Sequence, residues 1–78
     1  MPTVLRIGPY RFLFHSNESA EPAHIHVKAA ENEVKFWLQP IQLVANYGFN
    51  ARQLNEILSL VEEHRNEFLE AWDEYFSQ

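Results

Sequence analysis

The sequence contains no cysteine and no long apolar run. Without thiols, disulfide bonds and thiolate metal sites are excluded, which is typical of proteins in a reducing compartment. No segment approaches the roughly 20 apolar residues of a membrane-spanning helix, and the first residues lack the charged-then-apolar layout of a signal peptide. We therefore expect a cytoplasmic protein that does not associate with a membrane.

A surplus of basic residues is absent as well. The net charge of −5 argues against electrostatic capture of nucleic acid by the chain as a whole. Charges balance over residues 1–48, so the acidic excess lies entirely in residues 49–78. Three of the four histidines lie in the neutral part: His15, His24 and His26.

Glycine and proline are few, and they stand where strands would end. Alternation of polar and apolar residues predicts four strands, over residues 3–7, 10–15, 24–29 and 33–39. Residues 41–47 fit a fifth strand or a helical turn equally well. One face of these strands is apolar and consists of Phe12, Phe14, Ile25, Val27, Val34, Phe36 and Leu38. The opposite, polar face carries Arg11, His15, His24, His26, Lys28, Lys35 and Trp37.

A helix is predicted from Ala51 to about Phe76, because this segment holds neither glycine nor proline and has apolar residues at helical spacing. Asn50 is a good N-cap, Gln53 can complete a capping box, and Phe49 can pack on the first turn. The fold class is therefore α+β, a single domain of 78 residues. An antiparallel sheet of four to five strands over residues 1–47 is followed by a long helix over residues 50–76, packed on one face.

The predicted helix is too long for the sheet. About 26 residues make a helix of roughly 39 Å, whereas a six-residue strand spans only about 20 Å. Arg65 also falls in the apolar stripe, where an unpaired charge is costly. Either the helix breaks near residues 63–65, or its apolar end overhangs the domain and is buried by a partner protein or a second copy. The sequence favours the second arrangement, in which the partner-binding residues are Phe68, Leu69, Trp72, Tyr75 and Phe76.

Four segments together resemble one small bacterial family. They are residues 3–12 (TVLRIGPYRF), 21–27 (EPAHIHV), 35–38 (KFWL) and 70–76 (EAWDEYF). The family is domain-of-unknown-function family 4160, and the resemblance covers nearly the whole chain. It implies a setting similar to toxin–antitoxin modules, with a partner protein encoded by an adjacent gene. It implies no catalytic residues.

The polar face is the candidate site, because His24, His26 and Lys28 alternate with apolar residues and are expected to face solvent. Phosphodiester cleavage needs a base, an acid and a cation for the developing charge. We assign the first two roles to His24 and His26 and the third to Lys28, with Arg11 as the alternative cation. The RNA-binding residues of this hypothesis are Arg11, His15, Lys35 and Trp37.

Two other functions remain open. A metal could bind His24 and His26 if Glu21, His15 or Glu33 supplied a third ligand, but Lys28 on the same face opposes a cation. We therefore expect neither a metal nor another cofactor. The remaining alternative is non-catalytic. Either the sheet face binds single-stranded nucleic acid, or the chain is a binding or regulatory module that docks its partner through the C-terminal helix. The sequence leaves open whether the chain is this module or a toxin-like protein acting on RNA.

Overall fold

The computed structural model describes residues 3–16 and 20–77. Five antiparallel strands lie in sequence order in one sheet. They are β1 (Thr3–Ile7), β2 (Tyr10–Leu13), β3 (His24–Ala29), β4 (Asn32–Leu38) and β5 (Ile41–Tyr47). Two helices follow, α1 (Ala51–Glu63) and α2 (Arg65–Phe76). The α+β prediction is confirmed, and the ambiguous segment 41–47 is a strand. Residues 17–19, between the predicted strands at 10–15 and 24–29, lie outside the described residues.

The core forms between the predicted apolar face of the sheet and the helices. All seven residues predicted for that face are buried. The rings of Phe12 in β2 and Phe68 in α2 stack with centroids 5.3 Å apart, and both side chains are fully buried. Aromatic contacts of this kind add to the free energy of burial. They fix α2 against the centre of the sheet.

The start of α1 is held by two sets of hydrogen bonds. The Asn50 side chain accepts a hydrogen bond from the Gln53 backbone, and the Gln53 side chain accepts one from the Asn50 backbone, which completes the predicted capping box. Asn46 in β5 also donates to the Phe49 carbonyl at 2.8 Å and accepts from the Phe49 N–H at 3.2 Å. The last strand and the first helical turn are therefore joined as one rigid corner.

The helix does not continue through residues 63–65 but breaks at His64. Arg65 turns inward, and its Nε donates a 2.7 Å hydrogen bond to the carbonyl of Leu38 at the end of β4. The expectation of an overhanging helix end is therefore wrong. Phe68 and Trp72 are buried in the protein's own core, because the break lets α2 fold back over the sheet. Among the described residues, neither helix is long and apolar enough to cross a membrane.

Candidate functional site

Strand register places one row of polar side chains across all five strands, on the sheet face opposite the core. The paired positions are Arg6, Arg11, Lys28, Glu33 and Tyr47, in order from β1 to β5. We call these five residues the cross-strand row. Three cations therefore stand on three adjacent strands, which are about 4.8 Å apart. Arg6 and Tyr47 are exposed, and the other three are half-buried.

A cluster of two imidazoles and a carboxylate lies beside this row. His15 Nε2 donates a 3.0 Å hydrogen bond to Glu33 Oε2, and His26 Nδ1 lies 3.0 Å from the same oxygen. The rings of His15 and His26 meet edge-on with centroids 3.9 Å apart. We call His15, His26 and Glu33 the histidine–glutamate cluster. Lys28 touches it, because its Nζ lies 3.8 Å from Glu33 Oε1.

The charge of Glu33 is stabilised by these neighbours. Partial burial alone raises the pKa of Glu33, but the hydrogen bond from His15 and the nearby charges of Lys28 and His26 outweigh it. The pKa of this carboxyl therefore lies below its usual range. Glu33 is an anion at neutral pH, held between two imidazoles and the Lys28 ammonium.

The predicted exposure of His24 and His26 is wrong. Their side chains are on the predicted face, but His24 is fully buried and His26 is only 6% exposed. The centroid of the Trp72 ring in α2 lies 4.8 Å from that of His24. Trp72 therefore shields His24 from solvent. His24 Nδ1 also donates to the carbonyl of Pro22 at 2.9 Å. His24 is therefore enclosed by protein, and the accessible imidazole of this face is His15, with 29% of its side chain exposed.

Two of the predicted RNA-binding residues, Lys35 and Trp37, contact each other. Lys35 Nζ lies 2.6 Å from Glu21 Oε1 and 4.8 Å from the centre of the Trp37 ring. Trp37 is half-buried between this ammonium and His24. Lys35 thus has a carboxylate partner already, whereas Arg11 donates only to the neutral Thr3 hydroxyl among the contacts described.

The five predicted partner-binding residues do not form one surface. Phe68 and Trp72 are buried, and Leu69 and Phe76 are half-buried. Tyr75 is 37% exposed. Tyr75 and Phe76 line a groove of about 730 Å³ between α2 and the sheet, together with Val4 and Phe14. Only this end of the predicted surface is open to a partner.

The comparison with known proteins gives one match. A family model described as a domain of unknown function, DUF4160, matches residues 10–73, well over half of the chain. The chain belongs to the DUF4160 family. No curated protein and no solved structure matches it. The resemblance inferred from sequence is thereby confirmed for the family, and the family description itself assigns no activity.

Sequence reasoning did not include Glu33 and Arg6 among the site residues of this DUF4160 chain. Glu33 was considered only as an additional metal ligand, although a tight turn at 30–31 pairs it with Lys28. Arg6 pairs with Arg11 across the first hairpin. Both residues can be found from the hairpin register, that is, from which residues pair across the two strands. The position of the turn determines this register.

Proposed function

We propose that this DUF4160 protein binds single-stranded RNA across its polar sheet face. The observation that carries the proposal is the cross-strand row, in which Arg6, Arg11 and Lys28 stand side by side and exposed Tyr47 ends the row. Arginine and lysine bind phosphates, and an exposed aromatic ring can stack on a base. Within the cross-strand row three cations stand against the single carboxylate of Glu33, and the acidic excess of residues 49–78 is in the helical layer.

We further propose that the chain is the toxin-like member of a bacterial two-gene module and that it cleaves RNA. The accessible proton acceptor is His15, at the edge of the histidine–glutamate cluster. His15 would take the proton of a ribose 2′-hydroxyl, and the 2′-oxygen would form a bond to the adjacent phosphorus. The bond from phosphorus to the 5′-oxygen would break, and that oxygen would take a proton from solvent. Lys28 and Arg11 would stabilise the charge on the phosphorane.

Binding is tested by titrating the protein into a labelled single-stranded RNA at several salt concentrations. The double variant Arg11→Gln/Lys28→Gln should bind RNA more weakly. The slope of the logarithm of the association constant against the logarithm of salt concentration should become less steep by about 1.4. The control is Arg52→Gln, which removes a cation from the exposed face of α1. Equal weakening by the control, or no binding by the wild type at low salt, would refute the proposal.

Cleavage is tested by expressing the chain without its neighbouring gene. The toxin-like form predicts growth arrest with fragmented RNA, and both should be lost in Lys28→Gln and in His15→Ala. The His64→Ala variant removes a histidine that lies with Glu63 and Glu67 on the helices, and it should behave as wild type. Absence of arrest leaves RNA binding without cleavage as the function.

The second candidate is a binding module that docks a partner protein at the end of α2. It is supported by the groove beside Tyr75 and Phe76, where apolar side chains remain partly exposed. Co-expression with the product of the adjacent gene, followed by size-exclusion chromatography, tests it. Tyr75→Ser should release the partner, whereas Tyr47→Ser on the far edge of the sheet should not. Retention of the partner by both variants would exclude this docking site.

A further inference from the structure

We propose that the histidine–glutamate cluster is a binding site for a divalent transition-metal ion of the zinc class. One ligand atom from each of His15, His26 and Glu33 would coordinate the ion. These atoms all lie within 4.8 Å of one another. The inference goes beyond RNA binding and does not depend on it.

Two of the three ligand–ligand separations in the cluster are close to those of a tetrahedral site, and the third is within 4.8 Å. Ligands about 2.0–2.1 Å from zinc are roughly 3.3 Å from one another. His15 Nε2 and His26 Nδ1 each lie 3.0 Å from Glu33 Oε2. An ion could therefore enter after small side-chain shifts, without rearrangement of the strands.

The donor types select the class of ion. Two imidazole nitrogens and one carboxylate oxygen suit zinc, cobalt and nickel, whereas calcium and magnesium require mostly oxygen ligands. Thiolate ligands are absent from the chain. Zinc and cobalt should therefore bind, and magnesium should not compete with them at equal concentration.

One side of the histidine–glutamate cluster is buried in the sheet, and the other side is partly exposed to solvent. His26 is 6% exposed and comes from the interior of β3, so its ring has little freedom. His15 and Glu33 have about three-tenths of their side chains exposed. A fourth ligand can therefore come from solvent. Among the described residues the cluster supplies three ligands, and three protein ligands with a solvent-accessible fourth position are typical of catalytic rather than structural zinc sites.

The positive charge of Lys28 weakens binding of a cation at this cluster, and a variant without that charge can therefore test the proposal. Lys28 Nζ lies 3.8 Å from Glu33 Oε1, so it competes with the metal for the carboxylate and repels it. Removing the ammonium should therefore tighten metal binding. The same substitution should weaken RNA binding, so failure of one proposal is distinguishable from failure of the other.

The experiment is a titration of the untagged full chain with Co²⁺, followed by visible absorption and by competition with Zn²⁺. We expect one ion per chain and a tetrahedral cobalt spectrum. Glu33→Gln and His15→Gln should each raise the dissociation constant at least tenfold, and Lys28→Gln should lower it at least threefold. Far-UV circular dichroism of each variant confirms that it is folded.

The matched control is His64→Ala, because His64 also contacts two carboxylates, those of Glu63 and Glu67. It should bind cobalt as the wild type does. Loss of binding in His64→Ala, unchanged binding in Glu33→Gln, weaker binding in Lys28→Gln, or no binding at about 100 μM ion would each overturn the proposal.

Discussion

Arg65 Nε donates a hydrogen bond to the backbone carbonyl of Leu38 at 2.7 Å. The two residues are far apart in sequence, and the bond joins the first turn of α2 to the last residue of β4. Leu38 is fully buried, so its carbonyl has little access to water. The same arginine that looks misplaced in an apolar stripe therefore satisfies a buried acceptor.

Arg65→Met should destabilise the fold although methionine is of similar length and apolar. The substitution leaves the Leu38 carbonyl buried without its donor, which costs about 1–3 kcal/mol of unfolding free energy. Urea denaturation measures the change. Arg52→Met, on the exposed face of α1, should stay within about 0.5 kcal/mol of wild type. A similar loss in both variants would mean that the hydrogen bond contributes nothing specific.

Gly48→Ala should be more destabilising than Gly8→Ala. Both glycines have positive φ, +104° and +56°, but a Cβ at position 48 would lie 2.2 Å from the Asn32 side-chain oxygen, whereas at position 8 it meets nothing within 4 Å. We expect a loss of about 1–2 kcal/mol for Gly8→Ala from backbone strain and a larger loss for Gly48→Ala. Thermal unfolding followed by circular dichroism compares them, and equal losses would show that Asn32 simply moves away.

Tyr10→Phe should lower stability in a pH-dependent way. The Tyr10 hydroxyl donates to the carboxylate of Glu56, and this bond, together with burial, raises the pKa of Tyr10 from 10.0 to about 12. The bond holds the neutral phenol in the folded state, so its contribution is complete below pH 10. It is lost between pH 10 and about 12, where the unfolded chain releases the proton first.

The wild type should therefore exceed Tyr10→Phe by about 1 kcal/mol at pH 7, and the difference should shrink above pH 10. Urea unfolding at a series of pH values measures it. Tyr47→Phe removes the hydroxyl of a 69% exposed tyrosine and should change stability by less than about 0.5 kcal/mol at neutral pH. A difference for Tyr10→Phe that is constant from pH 7 to 12 would contradict the role given to Glu56.

His24→Ala should affect folding far more than His15→Ala. His24 is fully buried against Trp72 and donates to the Pro22 carbonyl, so truncation leaves a cavity and removes that hydrogen bond, at about 2–4 kcal/mol. His15 is partly exposed, and its ion pair contributes about 1 kcal/mol or less. Chemical denaturation of both variants decides this. Equal stabilities would restore His24 as a candidate for chemistry rather than structure.

Much of the fold could be predicted because local signals agreed with the tertiary structure. Alternation in residues 24–29 and 33–39 gave both the strands and the correct buried face, and Asn50 marked the start of α1. The segment 41–47 was ambiguous because Leu43 and Val44 lie exposed on an edge strand, which removes the alternation that burial imposes. A break near residues 63–65 is one of the two arrangements that helix length and Arg65 indicate, but the sequence does not decide between them, because the Arg65–Leu38 hydrogen bond is a long-range contact.

The site was predicted less well, for a physical reason. Period-2 alternation tells which side chains share a face but not whether that face is covered. His24 is the first residue of β3, and there the ring of Trp72 from α2 contacts it. The position of Trp72 depends on the helix break. Glu33 joins the histidines through hairpin register, which requires knowing that the turn lies at 30–31.

The two tryptophans report on different parts of the molecule. Trp72 is 8% exposed and lies between Phe14 and His24, while Trp37 is half-buried on the polar face beside Lys35. Collisional quenchers in solution should therefore reach the emission of Trp37 and spare that of Trp72. A single steady-state spectrum of the native chain thus carries one signal from the sheet surface and one from the interior.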